Sequence, residues 1–188
     1  FRRFIAYQDD VTRAYVEALE SRGVPHLLVG GKTFHDREEV DAMRTALCAI
    51  EWPEDELSVF ATLRGPLFAL GDEELLEYHA RRREESRGLV FHPYHVPDAL
   101  PEHLAPIADA LRTLRELHAG RNYRPVADTV GRLMQATRAH AGFMLWSSGE
   151  QVLANVLHIG ELARQYESEG GLSFRGFVDT LRDAAARA

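Results

Sequence analysis

Only one cysteine, Cys48, and one lysine, Lys32, occur among the 188 residues. A single thiol excludes an intrachain disulfide and any cysteine-built zinc site. Cys48 lies in a helical pattern with Ala46, Leu47 and Ile50, which predicts a small buried thiol. No apolar run approaches membrane-span length and no signal peptide is recognisable, so a cytoplasmic chain without a membrane partner is expected. An excess of positive charge is also lacking: the net charge is -7, which argues against non-specific nucleic-acid binding by the whole surface. The chain opens on Phe1 rather than methionine, and an excerpt of a longer polypeptide is expected.

What is present is an ordinary globular composition, 45% hydrophobic and 27% charged, enough to bury one core. Apolar residues recur at helical spacing nearly throughout. Val11, Tyr15, Ala18 and Leu19 mark a first helix, closed by Gly23 and Pro25. His26 to Val29 is the one convincing strand. A helix from Asp36 carries Val40, Met43, Leu47 and Ile50. Acids at 54–56 open the next, with Leu57, Phe60, Ala61 and Leu63 on it. Asp72 is the expected N-cap of a helix through Leu75, Leu76 and His79. A proline-bearing surface loop follows over 88–103. Further helices are expected near 102–119, 125–139 and 149–168, and a last one from Ser173. The fold class is mainly α: an orthogonal helical array preceded by a short helix–strand piece.

Several groupings invite a chemical reading. Gly31, Lys32 and Thr33 spell the end of a phosphate loop, but that loop needs a glycine at position 26, where His26 stands. His92, His95, Asp98, Glu102 and His103 contain metal-ligand types, yet the prolines between them favour a solvated loop. Arg81, Arg82, Arg83 and Arg87 resemble a phosphate patch that Glu84 and Glu85 partly neutralise. Glu38, Glu39 and Asp41 at a helix start are explained by dipole compensation. No catalytic residue, metal site or cofactor site is assigned to this chain, and a helical adaptor for protein partners is the alternative reading.

The stretch GVPHLLVGGKTFHDREEVDAMRTALCAI, residues 23–50, resembles superfamily 1 DNA helicases of the UvrD/Rep/RecB kind. In that family a G-[IV]-P element and a strand precede G-G-x-x-F-x-x-R-x-E-[VI] and a helix. The matches are Gly23, Val24, Pro25, Gly30, Gly31, Phe34, Arg37, Glu39 and Val40. Leu63 to Phe68 and the run Phe174, Arg175, Gly176 and Phe177 look closest to the RecB/AddA helicase–nuclease branch.

The resemblance implies that residues 1–30 end a RecA-like motor domain, 2A, and that 31–188 form a helical 2B domain inserted in it. It implies a parent enzyme that uses ATP and Mg to translocate on DNA and unwind it in repair or recombination. The partners it implies are duplex or junction DNA, a possible partner subunit, and the rest of the motor. Arg2, Arg64 and Gly65 would be DNA contacts. Gly30, Gly31, Phe34, Arg37 and Glu39 would be structural, with Phe34 plugging the gap beneath the glycine turn. Arg37 and Glu39 would pin the subdomains together.

Overall fold

The computed structural model describes residues 15, 18, 19, 21–24, 34–85, 89–146 and 148–187, and among these the regular elements are helices. Tyr15, Ala18 and Leu19 are helical, and Gly23 at φ 62 follows them, with the Arg22 and Val24 N–H groups both returning to the Leu19 carbonyl. A left-handed residue just past a helix end suits glycine, which has no Cβ to clash. The expected strand at 26–29 lies outside the described residues, as do Arg2, Gly30, Gly31 and Lys32.

The helical array comprises α1 (Glu38–Glu51), α2 (Glu56–Arg64), α3 (Asp72–Glu85), α4 (Ala105–Gly120), α5 (Val126–Ala136), α6 (Ala139–Met144), α7 (Gly149–Ser168) and α8 (Phe174–Ala186), with a short 3-10 turn at Glu102–Leu104. α1 is its axle. Val40, Met43, Ala46, Leu47, Cys48, Ala49 and Ile50 are all buried, and α1 packs against α2, α4, α7 and α8. The exposed side of α1 carries Glu38 and Asp41, while its buried alanines and cysteine let neighbouring helices approach closely. Burying Met43, Leu47 and Ile50 stabilises by about 1.5–3 kcal/mol each. The thiol of Cys48 is buried as expected, and burial pushes its pKa up.

Departures from the expected pattern have local causes. On α2, Val59 and Leu63 are buried while Leu57 is 76% exposed, because residues two apart fall on nearly opposite faces of a helix. Asp55 caps α2, accepting the Ser58 N–H at 3.2 Å. On α3, Leu75 and Tyr78 face inward and Leu76 points out. Asp72 is the first residue of α3 rather than its cap, and its carboxylate is taken by Arg64.

The expected helix over 125–139 breaks after Ala136. Arg138 adopts φ 52, and α6 then turns Ala139 and Phe143 into the core. No glycine or proline marks that break. Within the loop after α3, Val90 and Phe91 are buried, and both their N–H groups donate to Glu56 Oε1, at 2.6 and 2.9 Å. Ser173 caps α8 by accepting the Gly176 N–H at 3.1 Å. His35, just before α1, and Ala184, near the end of α8, line one cavity of about 200 Å³.

Candidate nucleic-acid interface

The side chains singled out around the glycine turn do not act alike. Phe34 is buried, and its ring meets those of His35 and His158 edge-on at centroid distances of 5.1 and 5.2 Å. Glu39 is buried in the first turn of α1, where the helix dipole favours a carboxylate. It accepts a 2.6 Å bond from Asn155 Nδ2, and Asn155 Oδ1 accepts one from Gln151 Nε2 at 3.1 Å. Glu39 therefore ties α1 to α7 within the helical array. Arg37 is the exposed N-cap residue of α1 and makes no side-chain cap bond.

His35 is half-buried with its Nδ1 unpartnered, while its carbonyl accepts a 3.2 Å bond from Arg44. Desolvation, and secondarily the positive charge of Arg44, hold its pKa below the ordinary value. Arg44 also pairs with Asp41.

At Arg64 and Gly65, which the resemblance implies as DNA contacts, the guanidinium and the backbone N–H both have partners within the chain. Gly65 follows the C-terminal end of α2, and its N–H donates to the Ala61 carbonyl at 2.8 Å. That is the negative end of the helix dipole, and the N–H is already used. A Cβ on Gly65 would lie 2.7 Å from the Ala61 carbonyl oxygen, so glycine is there to let the chain pass its own helix end. Arg64 meets Asp72 through both Nε at 2.6 Å and Nη2 at 3.2 Å. This pairing raises the Arg64 pKa and lowers that of Asp72. Beside it an apolar groove of about 500 Å³, lined by Phe60, Leu75, Leu76, His79 and Phe91, separates α2 from α3.

The arginine run on α3 is only partly available. Arg81 pairs with Glu77 at 2.8 Å, and Arg82 donates to the His95 carbonyl at 3.0 Å, while Arg83 is exposed. Glu77 also meets His103 at 2.8 Å, and its pKa is lowered by His103 first and Arg81 second. The rings of His92 and His95 stack at 4.4 Å, and His92 Nδ1 accepts the Tyr94 N–H at 3.2 Å. Burial, then the charge of His95, lowers the His92 pKa. Among the described residues no group of three or more His, Cys, Asp and Glu converges on a metal-sized space.

The most connected polar cluster meets the sequence motifs only at Arg175. Glu51, the last residue of α1, has a side chain only 4% exposed and receives two arginines: Arg121 Nε at 2.7 Å on one oxygen and Arg175 Nε at 3.0 Å on the other. His118 Nδ1 donates to the Ile50 carbonyl at 2.6 Å, and Arg121 Nη1 donates to the His118 carbonyl at 2.6 Å. Next in sequence, Trp52 carries two guanidiniums over its ring, Arg175 at 5.7 Å and Arg182 at 5.2 Å from the centroid. One signal was available: a carboxylate at a helix C-terminus opposes the dipole, so cations must come from elsewhere.

No family model matches the chain. Curated relatives do, and each is the A subunit of an ATP-dependent helicase/nuclease. The chain is 25% identical over 172 residues to the one from Thermoanaerobacter sp. (strain X514). It is 26% identical over 180 residues to the one from Geobacillus thermodenitrificans, and 27% over 174 residues to the one from Geobacillus kaustophilus. Each match covers 89% of this chain and 14% of the relative, so the chain spans about 14% of the relatives' length.

Proposed function

From its kinship with these helicase/nuclease proteins, superfamily 1 helicases of the UvrD/Rep/RecB kind, we propose that this chain is the accessory 2B-type region of an ATP-dependent DNA helicase acting in repair or recombination. Residues 1–30 would close the RecA-like 2A domain, and 31–188 would be the helical insertion. ATP and Mg belong to the parent motor in this reading. The helical part contributes contact with duplex or junction DNA. Its protein partners are the remaining motor and any second subunit of the parent enzyme.

The observation that carries the reading is the match to those relatives over 89% of the chain, and the motif from Gly23 to Val40 points to the same family. The geometry supports the insertion part of it. His35, at the start of the helical array, and Ala184, near the end of its last helix, face one cavity, so both ends of an insert would meet the motor at neighbouring points. A rigid array pinned by Glu39 and Asn155 at that base would move as a unit against the motor. The adaptor reading draws on the apolar groove between α2 and α3, with Leu76 exposed beside it.

The test is made in the parent protein by replacing residues 34–187 with a short flexible linker. The expected outcome is a folded motor that keeps ATPase activity stimulated by single-stranded DNA and unwinds duplex differently. A motor that no longer folds contradicts the insertion. Normal unwinding combined with loss of a co-purifying protein favours the adaptor.

A further inference from the structure

We propose that the Trp52, Arg175 and Arg182 platform is the phosphate-backbone contact of this domain for duplex DNA, a proposal that rests on the DNA-contact part of the function proposed above. Three observations point there. First, carboxylates are outnumbered. Glu51 is shared by Arg121 and Arg175, so that group of three carries a net positive charge. The acid nearest Arg182 is Asp179, at 3.8 Å, beyond hydrogen-bond reach. By contrast, Arg64 is held by Asp72 at two points, and Arg81, Arg112, Arg132 and Arg164 each meet a carboxylate at hydrogen-bond distance.

Second, the guanidiniums are both held and presented. Trp52 lies under each of them, yet the Arg175 and Arg182 side chains are 61% and 56% exposed. A cation–π contact with an indole holds a guanidinium in place without neutralising it, so less side-chain freedom is lost when a phosphate binds. Third, the geometry selects the part of DNA that is met. Both cations lie within 5.7 Å of the centre of the same ring, which gathers them into one basic patch for the backbone of a strand. With its ring occupied by guanidiniums, Trp52 is not a free platform for an unpaired base, as single-strand binders use. Contact with the backbone, indifferent to sequence, remains.

The experiment uses the 188-residue chain with Trp146→Phe, so that fluorescence reports Trp52 alone. It is titrated with a short duplex DNA at roughly 50 mM salt, where phosphate contacts are strong enough to read against a net charge of -7. The expected result is a saturable change in Trp52 emission, with Arg182→Glu weakening binding about tenfold or more and lowering the salt slope by roughly one or more. Arg64→Ala and Arg81→Ala should leave the affinity within about twofold, since those arginines already have partners. Because Arg175 also compensates buried Glu51, its variant is Arg175→Lys, checked by thermal unfolding. Weaker binding at unchanged stability is expected, because a lysine keeps the charge but not the planar fork.

Binding that survives Arg182→Glu but is lost in Arg64→Ala overturns the platform while leaving a DNA-contacting domain intact. Equal response to polyglutamate marks a docking site for acidic protein, and equal response to inorganic phosphate at matched concentration marks a simple anion site. Either overturns the proposal, as does absence of any binding. The deletion experiment in the parent judges the helicase reading independently.

Discussion

Glu51 sits where helix electrostatics disfavour a carboxylate, at the C-terminus of α1, and it is buried there. Arg121 and Arg175 reverse that disadvantage, each through its Nε on a separate oxygen. Glu39 is the opposite case: the dipole at the start of α1 favours it, and one neutral amide from Asn155 completes it. The two acids should therefore respond differently to neutralisation. Glu51→Gln leaves Arg121, itself largely buried, without its counter-charge and is expected to cost about 2–4 kcal/mol in urea unfolding. Glu39→Gln keeps a carbonyl to accept from Asn155 and is expected to cost about 1 kcal/mol. A cost for Glu51→Gln no larger than that for Glu39→Gln would show that the paired arginines do not stabilise the fold.

At the level of elements, the junction between Phe34 and α1 is the place where protonation should matter. His35 is desolvated there, with Arg44 and His158 adding positive charge and Asp36 opposing them. Its folded-state pKa is depressed below the ordinary 6.5, so the folded protein prefers the neutral ring. The stability tied to that preference is full above 6.5 and is lost as pH falls below it towards the lowered folded value. His92, depressed by burial and by His95, adds a slope of the same sign. Thermal midpoints measured from about pH 7.5 to about pH 5.5 should fall in the wild type and fall less in His35→Phe, which keeps an aromatic ring but cannot take up a proton. An identical pH slope in the two proteins would remove His35 from the account.

For the whole molecule, the outstanding chemical question raised by the sequence is the Gly31, Lys32 and Thr33 triplet. A phosphate loop wraps phosphates with successive backbone N–H groups, and the required spacing places His26 where a glycine is needed. The isolated chain is therefore expected to show no ATP binding by calorimetry at micromolar concentrations. Binding that disappears in Lys32→Ala would refute this and reinstate a nucleotide site. In the proposed parent, ATP chemistry would lie in the motor, and the helical array built around α1 would move against it.

Most of the helical architecture is legible in the sequence, because periodicity and caps are local. Leu47 and Ile50 announce the buried face of α1, Gly23 closes the helix before it, and Ser173 opens α8. The motif from Gly23 to Val40 likewise needs only contiguous residues, and it points to the helicase family without any knowledge of the fold. The break at Arg138 has no such signal, because no glycine or proline announces a left-handed residue there. The apolar groove between α2 and α3, and the burial of Val90 and Phe91, depend on helices meeting across a loop. The candidate interface is hidden for the same reason. Arg64 beside Gly65 looks open in the sequence, yet Asp72 claims the guanidinium and Ala61 the backbone N–H. Glu51 and Trp52 reveal their role only when α8, more than a hundred residues later, lays Arg175 and Arg182 against them. Sequence alone determined where most of the helices lie, since that follows from neighbours three and four residues apart. Tertiary structure decided which arginines are neutralised and which remain turned toward solvent, because charge pairing is set by distance in space.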